Sequence, residues 1–428
     1  MMYEPQEDSF LLQKAVKREA FGKVLDIGAG SGIQAITAAE KIEVKSVLAV
    51  DIQKSVIDFC EKKYSFERKE FEKEKIKVEK EEKDRKEIER DEKSKNIEQN
   101  KNLKKITWLQ SNLFQKIKKI RLLKNRKFDT IIINPPYLPQ DPGIKDRTLY
   151  GGKKGYELIE KIFKDVNNYL SENGIILLLF SSLTNKKKVE EIIFQQAMQF
   201  EEVEKLHIDF EDLYVYKIQK SEIRKVLEKK KFEQIAYFAK GKRGILYSAI
   251  KNKKRYVIKT KHPESKAQNT IENEARWLKK LNKYNIGPKY KEHGPYCVIY
   301  EYAPGIFIEE WIEKSKKREI LKMVIACIRQ CRTMDVLKMD KEEMHNPFKH
   351  IVIQDKPVFL DFERARYTLT PKNVTQFCQY LSAEKIQVPL RKKGIELNKE
   401  KIRNFAQEYK QDYDQKTFNK IVTFLKNS

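Results

Sequence analysis

Cysteine is scarce in this chain: Cys60, Cys297, Cys327, Cys331 and Cys378 are the five among 428 residues, and no two stand in a CxxC spacing. An odd, scattered set of this kind builds neither a disulfide framework nor a zinc knuckle. It implies a reducing compartment in which thiols serve as small buried side chains. Cys327 and Cys331, four apart on an amphipathic stretch, share one helix face. Long apolar runs are lacking as well. No segment approaches the roughly eighteen apolar residues of a membrane span, and the N-terminus has no secretory apolar region. The sequence therefore predicts a soluble, cytoplasmic protein without a membrane partner. Charge is what the chain has in excess: 36% of residues are charged, and 89 Lys and Arg against 63 Asp and Glu leave a net +26. Such a surplus suits a polyanion such as RNA or the ribosome. A Lys- and Glu-rich proteome produces the same surplus with no such partner.

With 40% hydrophobic residues, 428 positions suffice for two or three domains that each bury a core. Residues 1–60 and 105–218 alternate apolar strands with amphipathic helices, the pattern of a parallel, doubly wound sheet. Strands are predicted at Lys23–Ile27, Ser46–Val50, Ile106–Gln110, Thr130–Ile133 and Ile175–Phe180. Helical spacing runs from Tyr156 to Leu170 and stops at Glu172-Asn173-Gly174, read as a turn. Between about 66 and 104 the alternation gives way to a charged insertion, either a solvated helical hairpin or disordered. From Ser221 the pattern changes again, so the chain divides into an α/β Rossmann-like domain over 1–220 and an α+β domain over 221–428.

The first predicted strand runs into Gly28-Ala29-Gly30-Ser31-Gly32 and then a helix. Such a loop lets backbone approach a ligand and points helix N-terminal amides at it. Asp51, closing the second strand about twenty residues on, can accept both ribose hydroxyls of a nucleoside. A dinucleotide oxidoreductase would share these features. Asp26 before the GxGxG spacing is the methyltransferase variant, placing a carboxylate near a methionine ammonium, and the fourth strand carries no hydride chemistry. That strand ends in Asn134-Pro135-Pro136-Tyr137. The amino group of an amide or nucleobase is a poor nucleophile because its lone pair is delocalised. The Asn134 side-chain oxygen and the Pro135 carbonyl can each accept one of its N–H bonds and stabilise the charge that grows on it. Pro135 and Pro136 stiffen the loop, and Tyr137 can cover the flat substrate face. The substrate is thus a glutamine amide or the exocyclic amine of a base.

The segment Tyr3-Glu4-Pro5-Gln6-Glu7-Asp8-Ser9-Phe10-Leu11-Leu12, with Asp26 to Gly32, Asn134 to Tyr137 and Gly151-Gly152 with Gly155, resembles the HemK-type glutamine methyltransferases of translation release factors, in the branch shared by archaea and eukaryotes. The resemblance spans Tyr3 to about Lys217, apart from the insertion. It implies S-adenosylmethionine as cofactor, contacts to it from Glu7 and Asp8, and the peptide chain release factor as substrate, at the glutamine of its Gly-Gly-Gln loop. It also implies a small zinc-binding activator subunit covering an apolar edge of the sheet. Where that family has Ser-Asp-Leu-Phe after the third strand, this chain has Ser111-Asn112-Leu113-Phe114. Asn112 can still accept from an adenine amine, so weaker cofactor affinity is expected, not loss. As bare chemistry, Glu7 and Asp8 also fit the first turn of a helix.

In the second half, Gly241-Lys242-Arg243-Gly244 precedes a strand, Lys259 ends the next, and Glu274 follows on an amphipathic helix. That is the order of a protein-kinase N-lobe: a glycine loop over phosphates, a strand lysine on them and a helix glutamate pairing with the lysine. Val298 to Tyr302, with Glu301, reads as a hinge, and Asp361-Phe362-Glu363 as the Mg²⁺-binding position, with Asp361 the ligand. The stretch from about Lys240 to Tyr380, including Asn285-Ile286-Gly287-Pro288, resembles predicted archaeal kinases related to the RIO group and implies ATP with Mg²⁺. The positions of the usual catalytic acid and second-metal Asn hold His345 and His350, with Glu343 the nearest acid. Glu363 replaces a glycine. Nucleotide binding without phosphoryl transfer, and an atypical kinase using Glu343, both stay open. So do two other readings of the whole: an N6-adenine methyltransferase acting on DNA or RNA, and a non-catalytic pseudokinase scaffold near the ribosome.

Overall fold

In the computed structural model, Val24 to Ile27 is buried almost without interruption, as a strand must be when both faces of its sheet are covered. The structure describes residues 4–64, 102–120, 123, 126–141, 143, 149–241, 244–261 and 269–428. Most of the charged insertion, Tyr3 and the Lys242-Arg243 pair fall outside them. The chain folds into two compact units, Met1–Lys230 and Lys231–Ser428. The second unit thus begins some ten residues beyond the predicted start at Ser221. The helix Glu222–Lys229 stays with the first unit because its base is tied there. Lys220 Nζ donates to the Leu170 carbonyl at 3.0 Å and pairs with Glu228 at 2.7 Å, and Arg224 donates to the Gln196 carbonyl.

The first unit is built on a seven-stranded sheet. From one edge, its strands are Ile106–Gln110, Val44–Asp51, Gly22–Ile27, Phe128–Ile133, Leu170–Ser181, Glu211–Lys220 and Met198–Ile208. The first five run parallel, and Glu211–Lys220 pairs antiparallel with both of its neighbours. Alternate residues feed two cores. Val24, Val47 and Ile132 pack with Leu12, Ala15 and Val16 of the helix Glu7–Glu19 and with Ala35 and Ala38 of Ile33–Glu40. Leu25, Leu48 and Ile131 face the other way, onto Ile159, Phe163 and Ile193 of the helices Glu157–Val166 and Lys186–Gln195. The period of two thus yields three layers.

One expectation is corrected. Glu172-Asn173-Gly174 is not a turn ahead of the fifth strand but lies inside it. Leu170 pairs with Phe128 and Ile175 with Thr130, so four residues on one strand oppose a single residue, Asp129, on the other. Bulging keeps the ladder on both sides where a turn would end it.

The second unit opens with a five-stranded antiparallel sheet, in the order Glu233–Lys240, Gly244–Lys251, Lys254–Lys261, Cys297–Glu301, Tyr290–His293. The helix Thr270–Asn282 is joined to the core by Ile271, Leu278 and Leu281. A largely helical part follows, in which Lys317–Val336 is the longest described helix. Cys327 and Cys331 both face its core, and all five cysteines are free and buried. Among the described residues, no helix is long and apolar enough to cross a membrane.

Candidate active site

At the carboxyl ends of the parallel strands lies a cavity of about 260 Å³, lined in part by Gly28, Gly30, Asp51, Asn112 and the whole of Asn134 to Tyr137. This is where an open α/β sheet places its ligands. Gly28 and Gly30 have φ of 83° and 50°, in the left-handed region that a side chain disfavours. The Gly28 and Ala29 amides are both held by the Val50 carbonyl, at 2.9 and 3.0 Å. Asp51 accepts from the Gly30 amide at 3.2 Å through one oxygen and from Gln53 at 2.8 Å through the other. Each oxygen keeps a lone pair for a ligand.

Asn134 is the centre of this arrangement. Its Nδ2 donates to Asp8 Oδ2 at 2.9 Å, while its Oδ1 is buried without a partner. A carboxylate only accepts, so it settles which way the amide points. The oxygen is left free for an incoming N–H. Asp8 itself sits on the first turn of Glu7–Glu19 and also accepts from the Ser9 amide at 2.6 Å. The family resemblance implies a cofactor contact for Asp8. The structure places it on the cavity wall but ties it to Asn134. Asp8→Ala is therefore expected to slow methyl transfer by roughly 10- to 100-fold, through loss of amide orientation. Single-turnover rates and cofactor binding, measured together, check this. A loss in binding alone would return Asp8 to the cofactor.

Three residues predicted for the cofactor do not line the cavity. Glu7 is exposed, because one residue along a helix turns the side chain by about 100° away from Asp8. Gly32 caps the helix Ile33–Glu40 with φ 84°, and a Cβ there would come within 2.9 Å of the Trp108 ring. It is a packing glycine. Asp26 lies enclosed behind the loop, accepting a hydrogen bond from the Ala35 amide, with its Oδ2 buried and unpartnered. Gln34 is a site residue that the sequence did not single out. It lines the cavity, donates to the Ser9 carbonyl at 2.8 Å and leaves its Oε1 buried without a partner. The available signal was one amide on a helix face otherwise made of Ile, Ala and Thr.

Burial, and then the Asp51 charge, push the Asp26 carboxyl up from 3.8 to about 7, against the Ala35 hydrogen bond. Between those values the folded protein binds a proton that the unfolded chain has released. The group's contribution to stability therefore falls as pH rises through that window. The thermal midpoint of Asp26→Asn relative to wild type should climb from pH 4 to pH 8, whatever its constant offset. A pH-independent difference would refute the shift.

The second unit carries a separate charged cluster. Lys259 Nζ lies 2.8 Å from Glu274, 2.8 Å from Asp361 and 3.0 Å from Glu363. Burial works against its charge, but Glu274, Asp361 and Glu363 outweigh burial and hold the ammonium well above its usual range. Asp361 stays ionised, at about 2, because Lys259 and Lys341 offset its own burial. Gly244 packs on this lysine, since a Cβ there would lie 2.9 Å from the Thr260 carbonyl and 3.3 Å from the Lys259 side chain. The Gly241 amide donates to the Gly244 carbonyl at 2.9 Å and closes the hairpin. Glu343 pairs with Arg364 and lies 3.4 Å from His350. Burial and then Lys341 lower His350 to about 4, so its ring is neutral at physiological pH. Glu301 is not among the ion pairs of Lys259; it pairs instead with Lys254 at 3.3 Å and Lys289 at 4.0 Å. Glu363, read from sequence only as a replaced glycine, is a third carboxylate on Lys259. The facing oxygens of Glu274, Asp361 and Glu363 lie within 4.8 Å of one another, a hard donor set that suits Mg²⁺.

The strand order, the single reversed strand pairing both its neighbours and the glycine loop beside the cavity define the first unit as a class I S-adenosylmethionine-dependent methyltransferase fold. The matching family and two curated relatives are methyltransferases by name. Residues 10–97 match the family described as ribosomal protein L11 methyltransferase. The chain is 29% identical over 219 residues to a Methanocaldococcus jannaschii protein named putative protein N5-glutamine methyltransferase, covering 50% of this chain and 89% of that one. It is 34% identical over 98 residues to the release factor glutamine methyltransferase of Aquifex aeolicus, 19% of this chain and 35% of that one. A solved E. cuniculi Mtq2–Trm112 complex, described as methylating the eRF1 translation termination factor, aligns with a TM-score of 0.32 at 20% identity, over 51% of this chain and 99% of that one.

Proposed function

We propose that the first unit methylates the N5 nitrogen of a protein glutamine, in the Gly-Gly-Gln loop of a peptide chain release factor. One observation carries the chemistry: Asn134 Oδ1 is buried, unpartnered and oriented by Asp8 at the wall of the cavity. That oxygen and the Pro135 carbonyl each accept one N–H of the substrate amide. They stabilise the positive charge that grows on its nitrogen before a proton is shed. S-adenosylmethionine supplies the electrophilic methyl. Gly28, Gly30, Asp51 and Asn112 are the residues that hold it, and the unpartnered Gln34 Oε1 is a further acceptor. Protein glutamine is favoured over a base amine by the names of the relatives.

The test is labelled methyl transfer to the cognate release factor beside its Gln→Ala version. Labelling of the first alone supports the reading. Equal labelling of both, or label only in DNA or RNA, overturns it. A small zinc-binding subunit is proposed at the sheet edge Ile106–Gln110, where Ile106, Trp108 and Leu109 are only half-buried. A chain fully soluble and active alone would remove that partner. For the second unit we infer a nucleotide site, with Lys259 on the phosphates, Glu274 supporting it, and Asp361 and Glu363 suited to Mg²⁺. The geometry of Lys259 among three carboxylates supports this reading. MgATP binding that is lost in Lys259→Met tests it.

A further inference from the structure

Lys341 follows the two-residue strand Met339–Asp340 and is only 3% exposed. Its main chain is fixed, since its backbone amide donates to Asn373 Oδ1 at 2.9 Å. Its ammonium is not. Among the described residues no carboxylate lies within ion-pair distance of Nζ, and the Phe362 ring centroid is 5.3 Å away. A cation on a side chain this buried, with no counter-ion within reach, is costly to hold. Burial lowers this one only to about 8, so it remains a cation at neutral pH.

The charges that face it are Asp361, Glu343 and Glu274, with Lys259 opposing. All three carboxylates are committed elsewhere. Asp361 and Glu274 sit on Lys259, and Glu343 sits on Arg364 and His350. Lys259 therefore has three carboxylates where one would neutralise it, while Lys341, beside the same cluster, has none. Such an uneven division suits a ligand that brings a metal cation to the carboxylates and an anion to the lone ammonium. A magnesium-bound polyphosphate has that charge pattern. His350 stands where a second metal's Asn ligand would be expected, leaving the far end of the phosphate chain without metal support there.

We propose that Lys341 anchors the terminal phosphate of a nucleoside triphosphate bound at Lys259, supplying the charge that a second metal would otherwise provide. The proposal rests on the nucleotide-site reading of this unit. It makes the site selective for a triphosphate over a diphosphate, because only the longer chain reaches the unpaired ammonium.

Calorimetric titration of the full chain with MgATP and MgADP tests this, in wild type, Lys341→Met and Lys341→Arg. Methionine keeps the length and removes the charge. The expected result is roughly tenfold weaker MgATP binding by Lys341→Met, less than about twofold change for MgADP, and partial recovery in Lys341→Arg. The apo thermal midpoint of Lys341→Met should hold or rise, because an unpaired buried charge has gone. Equal losses for both nucleotides, no loss for either, or a fall in the apo midpoint would overturn the role. If wild type binds neither nucleotide, the nucleotide-site reading fails, and this inference with it. A wild type that binds both, with a Lys341→Met that discriminates no differently, sinks only the inference.

Discussion

Asn134→Ala is expected to lower the rate of methyl transfer by two to three orders of magnitude, with S-adenosylmethionine affinity changed less than about threefold. Removing one preorganised group that meets developing charge costs about that much. The size follows from how completely the side chain is prepared. Nδ2 is held by Asp8 at 2.9 Å, Oδ1 is buried with no partner, and neither needs to reorganise when the substrate arrives. The split between rate and affinity is the informative part. Single-turnover rates at saturating cofactor, set beside calorimetric binding of the same variant, separate the two. If the damage falls on cofactor affinity and the bound rate is intact, Asn134 is a cofactor contact and the mechanism is wrong.

Gly151→Ala should cost a comparable amount, about 100-fold, without touching a reacting group. A Cβ on Gly151 would collide with the Gly155 carbonyl oxygen and fall 2.5 Å from that of Pro136. These are backbone atoms, which cannot rotate away as a flexible side chain could, so the Pro135-Pro136 segment must move. A displacement of about 1 Å at a site that depends on alignment is enough for a loss of this order. Gly155 completes the clamp, with φ of 87° and no room for a Cβ, which would collide with the Tyr137 carbonyl oxygen. On the far side, Thr184 Oγ1 donates to that same carbonyl at 2.9 Å. Cofactor binding by Gly151→Ala should stay close to wild type. A variant with full activity would show that the loop's position is not set by these glycines.

Much of the first unit was legible because its physics is local. Strands buried on both faces must be nearly all apolar, and the run at Ile131-Ile132-Ile133 before Asn134 could be little else. Asp51 and the glycine loop are similarly tied to strand ends by short spacings. The misreadings share one cause. Glu172-Asn173-Gly174 has turn composition, but the neighbouring strand pairs with Leu170 before it and with Ile175 after it. Glu7 and Asp8 are adjacent and chemically alike, and only the helix docked on the sheet decided that Asp8 faces the site. Glu363 looked like the loss of a glycine until the fold brought its carboxylate to a lysine more than a hundred residues earlier.

The sequence by itself determined the layered α/β architecture of the first unit and the residue types at the strand end that lines its cavity. Those follow from hydrophobic period and from the donor and acceptor groups that a given chemistry demands. Tertiary structure alone decided which side chains act on which. The Asp8–Asn134 contact spans 126 positions and the Lys259–Asp361 contact spans 102. Contacts at that range leave no periodicity in the chain, because they are made by packing whole elements and not by spacing within one.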